Sequence, residues 1–131
     1  MSEEPRAPFV VACPDCEVRT ATDDPNETVA FYRRHRAVTG HDLAWERAEF
    51  DGADDLRPDA DGTDGPGGGE AVLAAIVDDL EGTYGNGVPV GIVAAAMGAR
   101  GVPMGETLER IRALRMRGAL YEPRDDHLAS V

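Results

Sequence analysis

Residues 13–41 read CPDCEVRTATDDPNETVAFYRRHRAVTGH, and this stretch decides the fold of the first part of the chain. Cys13 and Cys16 flank Pro14-Asp15, a spacing at which a tight turn aims both sulfurs at one ion. His35 follows after 18 residues and His41 after five more. Two thiolates and two imidazoles are the soft and borderline donors that suit tetrahedral Zn2+, and four protein ligands make a closed, structural site. The competing reading is two incidental Cys and two satisfied or exposed His. The chain has no other Cys, so a disulfide framework is excluded.

The elements around the four ligands follow from local signals. Phe9-Val10-Val11-Ala12 and Glu17-Val18-Arg19-Thr20 predict a short hairpin across the Cys turn. Asp24 is placed to cap a helix, Pro25 fits its first position, and Glu27 stands three residues after the cap. Thr39-Gly40 stops that helix. At 100° per residue, Phe31, Tyr32, His35 and Val38 are expected on one inward face, with Arg33, Arg34 and Arg36 outside. His41 to Glu46 reads as a closing strand, giving a ββαβ module over residues 1–50.

Residues 51–69 differ in kind. Fourteen of these 19 residues are Asp, Gly or Pro, and Leu56 is the one large apolar residue. Such a stretch buries too little to offset its ordering entropy, so it reads as a flexible acidic linker that decouples its flanks.

Residues 70–131 predict a second module of three helices and a hairpin. A helix over 70–81 presents Val72, Leu73, Ile76, Val77 and Leu80 on one face. A short helix over 92–99 is apolar all round, so it is expected to be buried. Gly91 is taken as part of the turn region before it. A third helix over 105–117 turns Leu108, Ile111 and Leu114 inward and stops at Gly118. Residues 119–123 and 127–131 then pair around Arg124-Asp125-Asp126. The fold class is α+β: a small ββαβ zinc-finger-like module, an acidic linker, and a winged helix-turn-helix.

Composition bounds the function. The chain carries 25 acidic residues against 13 basic ones, all Arg, for a net charge of −12. Bulk charge excludes a strongly basic nucleic-acid binder. No apolar run reaches the ~20 residues of a membrane span, so no membrane association is expected. The acidic start Met1-Ser2-Glu3-Glu4 lacks the order of a signal peptide, and a cytoplasmic location is expected. No grouping of Ser, Thr, Asp or His supports nucleophilic catalysis, and a non-enzymatic protein is expected.

Three resemblances add to this. The Arg-for-Lys acidic composition resembles that of proteins from salt-loving archaea. It implies a cytoplasm of molar salt, where at ~1 M the Debye length is about 3 Å and self-repulsion is weak. Cys13, Cys16, His35 and Thr39-Gly40-His41 resemble the two-Cys two-His zinc fingers, and more closely small finger proteins of haloarchaea, over about residues 9–50. The gap of 18 residues between Cys16 and His35 exceeds the ~12 of fingers that read DNA. Ile111, Leu114, Gly118, Leu120 and Tyr121-Glu122-Pro123-Arg124 resemble the C-terminal winged helix of archaeal minichromosome maintenance (MCM) helicases. That likeness implies association with DNA or replication machinery. It implies no ATPase, because no G-x4-G-K-[ST] occurs in a chain without Lys.

Two functions follow as expectations. One is a DNA-associated regulator, or a replication or transcription accessory protein, with Arg33, Arg34, Arg36, Arg110, Arg112, Arg117 and Arg124 as the expected nucleic-acid or partner contacts. The other is an adaptor in which both modules bind protein partners. The third helix is mixed in sign: its outer side holds Glu106, Glu109, Ala113 and Met116, with Arg110 and Arg117 on one flank and Arg112 on the other. Arg115 is placed near the core edge.

Overall fold

The computed structural model describes residues 7–52, 68–85 and 87–130. The expected linker over 51–69 lies mostly outside them. The described chain is a mixed α+β protein with four helices and two small sheets.

The first segment runs β1 (Phe9–Ala12), β2 (Arg19–Thr22), α1 (Pro25–Thr39) and β3 (Ala44–Ala48). Its antiparallel sheet has the order β2-β1-β3, which puts the apolar strand in the middle. Phe9, Val10 and Val11 are all buried there. Strand β2 begins two residues later than expected. Glu17 takes a left-handed backbone (φ 57°), which no strand accommodates, so pairing starts beyond it. Helix α1 starts and stops where its caps indicate. The Asp24 side chain accepts from the Asn26 N–H, and Gly40 at φ 77° sends its N–H back to the Arg36 carbonyl. Val38 is 85% exposed, against expectation. The buried face is set by Thr28, Val29 and Tyr32, and Val38 lies about a third of a turn away from its centre.

The second segment runs α2 (Gly68–Leu80), β4 (Val88–Pro89), α3 (Val90–Gly98), α4 (Met104–Met116), β5 (Leu120–Arg124) and β6 (His127–Ser130). Its antiparallel sheet has the order β4-β6-β5. Leu73, Ile76, Val77 and Leu80 of α2 are buried, as are Ile111 and Leu114 of α4.

The two segments are not decoupled. One apolar core holds Phe9 and Val29 from the first together with Leu73, Val93, Met97, Leu114 and Leu128 from the second. The reason lies in α3, where every residue from Val90 to Met97 is buried. A helix apolar on all sides needs cover on all sides. Helices α2 and α4 cover part of it, and α1 and β3 cover the rest. Gly91 belongs to this helix rather than to a turn, and it meets the backbone of Pro25; Gly98 lies against the Trp45 ring. A Cβ at either position would overlap its neighbour. Asn26 completes the seam: its Oδ1 accepts the Gly91 N–H at 2.8 Å, and its Nδ2 donates to the Asp126 carbonyl at 3.1 Å. No helix among the described residues is long and apolar enough to cross a membrane.

Candidate metal centre

The chain assembles the centre from three pieces of the first segment. Strand β1 delivers Cys13, which is 2% exposed. The chain then turns sharply, with the Cys13 N–H donating to the Val18 carbonyl at 2.9 Å and Glu17 in its left-handed conformation. The turn brings Cys16 back beside Cys13. Helix α1 supplies His35, and Phe31, one turn earlier, stacks on its ring at 5.8 Å and 18°. The reversal at Gly40 returns His41 to the same place, with its ring 6.0 Å from that of His35.

One ligand atom from each of Cys13, Cys16, His35 and His41 lies within 4.8 Å of every other. His41 Nδ1 is 3.0 Å from Cys16 Sγ and 3.7 Å from Cys13 Sγ. Tetrahedral ligands at metal bond lengths of about 2.0–2.3 Å stand roughly 3.3–3.8 Å apart, so the constellation has the right size. The sulfurs are free thiols, not a disulfide.

One observation points to a cation. His35 Nε2 is buried with no hydrogen-bond partner, an arrangement that costs free energy unless something else satisfies the nitrogen. Desolvation raises the Cys16 thiol above its ordinary range, and the neighbouring Cys13 and Asp15 add to this. A bound cation reverses that penalty by stabilising both thiolates. The four residues are therefore placed to hold one metal ion.

The Arg residues fall in different surroundings. Arg33 and Arg36 of α1 and Arg112 and Arg115 of α4 line one open groove of about 670 Å³. Arg115 is exposed, not tucked at the core edge, and pairs with Glu122 at 2.9 Å. Arg33 approaches Asp126 at 3.8 Å. Arg110 pairs with Glu106 along α4, and Arg124 faces His127 on the hairpin. Arg34, Arg110, Arg117 and Arg124 do not line this groove. Five acids do: Asp42, Glu106, Glu109, Glu122 and Asp126. A second depression continues from Arg112 and Arg115 to Met116 and Tyr121, which are 78% and 50% exposed. Sequence reasoning missed Asp42 altogether, since nothing in its neighbourhood marks it as more than a surface acid.

The fold and site define a two-part α+β protein with a Cys2His2 centre. Residues 10–47 match the family model described as HVO_B0008 N-terminal, and residues 78–128 match the HVO_B0008 C-terminal domain. The two matches fall in chain order, the N-terminal model before the C-terminal one. Comparison with curated proteins and with solved structures finds no match.

Proposed function

We propose that this is a non-enzymatic interaction protein, with a structural Zn2+ at Cys13, Cys16, His35 and His41, that binds a protein partner in the groove between α1 and α4. Zn2+ is the reading the donor set supports, because two thiolates and two imidazoles in a tetrahedron suit it best. Four protein ligands leave no open position, which supports a structural role over a catalytic one. The single observation that carries the partner site is the convergence of Arg33, Arg36, Arg112 and Arg115 on one groove that runs on to exposed Met116 and Tyr121. Arg side chains beside exposed aromatic and thioether groups have the composition of an interaction hot spot. Because five acids share the groove with the four Arg residues, it fits a partner segment of mixed charge with an apolar anchor.

A second reading, contact with duplex DNA, has its own support. Residues 68–130 run helix, strand, helix, helix, hairpin, an order compatible with a winged helix in which α4 would take the recognition position. The helicase likeness rests on the sequence of residues 111–124. Yet such helices meet bases with their N-terminal residues, and here that end carries Glu106, Glu109 and the carboxylate of Asp42. Those acids favour the protein partner.

Both readings are tested with the full chain in molar KCl. Crosslinking in lysate, followed by mass spectrometry, should recover a protein partner with the native chain and lose it with Arg112→Glu/Arg115→Glu. Duplex DNA titrated from dilute to molar KCl should not bind. Tight duplex binding that the same double variant abolishes, with no protein recovered, overturns the first reading in favour of the second.

A further inference from the structure

Asp42 stands between the ligand His41 and the core residue Leu43, and its side chain reaches out of the first segment. Both carboxylate oxygens accept from the Gly105 N–H of α4, Oδ1 at 3.1 Å and Oδ2 at 3.2 Å. Oδ1 also accepts the N–H of Leu43 at 2.7 Å. The first turn of a helix carries N–H groups without partners and the positive end of the helix dipole. Helix α4 has no cap of its own: Pro103 precedes it and offers no side-chain acceptor. Its cap comes from 63 residues away.

The joint is tight at that point. A Cβ on Gly105 would stand 2.5 Å from Tyr32 Oη and 2.8 Å from Asp42 Oδ2. With glycine there, the first turn of α4 comes down onto α1 and the residues after His41 without displacing the Tyr32 hydroxyl or the Asp42 carboxylate. The backbone of His41 is itself held by a hydrogen bond to Thr39 Oγ1 at 3.1 Å, just past the reversal at Gly40. A bond from the His41 ring to an ion would fix this backbone further, and with it the position of the next carboxylate.

We propose that Asp42 is a positioning residue that couples the metal centre to the first turn of α4, so that filling the Cys13, Cys16, His35 and His41 site and seating α4 form one linked equilibrium. The inference rests on the metal-centre reading and not on the identity of the partner. Linkage is reciprocal: if the ion steadies the joint, the joint must raise affinity for the ion.

The test uses the full chain, with Zn2+ alone as the probe, in competition with a chromophoric chelator. Asp42→Ala and Gly105→Ala should each weaken Zn2+ binding by about five-fold or more. Asp42→Asn, which keeps an acceptor oxygen, should fall between Asp42→Ala and the native chain. Ile76→Val, a core change on α2, should lower the melting temperature and leave Zn2+ affinity within about two-fold. In hydrogen exchange, Zn2+ should protect the amides of residues 104–108 in the native chain and much less in Asp42→Ala. Unchanged affinity in Asp42→Ala, or Zn2+-dependent protection of residues 104–108 that survives in it, would overturn the coupling. Should Gly105→Ala fail to fold, Asp42→Ala decides. A native chain that takes up no Zn2+ refutes the metal centre, and the coupling falls with it.

Discussion

One hydroxyl joins the two His ligands. Thr39 Oγ1 donates to the His35 carbonyl at 2.8 Å and accepts the His41 N–H at 3.1 Å, so the helix end that carries one ligand also aims the other. Groups of this kind, which hold ligands without touching the ion, change metal affinity by roughly 10–100-fold when removed. Thr39→Val keeps the side-chain shape and loses both bonds. Its Zn2+ affinity should fall by about ten-fold while the far-ultraviolet circular dichroism of the metal-loaded chain stays the same. Not every residue on the inward-reading face of α1 matters in this way. Val38 projects into solvent, so Val38→Ala should shift stability by less than about 0.5 kcal/mol in a urea melt, despite its apolar character.

At the scale of elements, helix α1 was legible because its signals are local. Asp24, Pro25 and Gly40 act within a few residues of themselves, and no distant contact overrides them. The ligand set was legible for the same reason, through spacing. The start of β2 was not, because the left-handed residue that delays it is Glu17 and not a glycine. The place of α3 was half legible. Its apolar character announces burial, but Gly91 and Gly98 give no sign in sequence of what presses on them. The structure shows Pro25 and Trp45 there. Gly98→Ala should therefore overpack the seam against a ring and cost about 1–3 kcal/mol in chemical denaturation, although alanine is favoured over glycine in an open helix. A cost near zero would mean that α3 and β3 do not meet this closely. The exposure of Arg115 was illegible too, since it depends on where the hairpin places Glu122.

For the molecule as a whole, the shared core changes what damage in one place should do. The acidic stretch 51–69 suggested two bodies that melt separately. With Phe9, Val29 and Trp45 packed on the core of the second segment, they should melt together. Leu114→Asp buries a charge in that core, and it should abolish the near-ultraviolet signal of Trp45 as well as the helicity of the second segment. Loss of helicity with the Trp45 signal intact would restore the two-body view. Salt acts at this scale as well. A net charge of −12 is screened over about 3 Å at 1 M salt but only over about 10 Å at 0.1 M, so dilution should lower the melting temperature.

The metal centre is the claim on which the rest depends, and native mass spectrometry of the full chain, loaded with Zn2+ and then desalted, tests it most directly. The chain should carry a single Zn2+ in a narrow, folded charge-state distribution. Cys16→Ala should carry none and show the broad distribution of an opened chain. A native chain that holds no Zn2+ and still gives the narrow distribution would contradict the account.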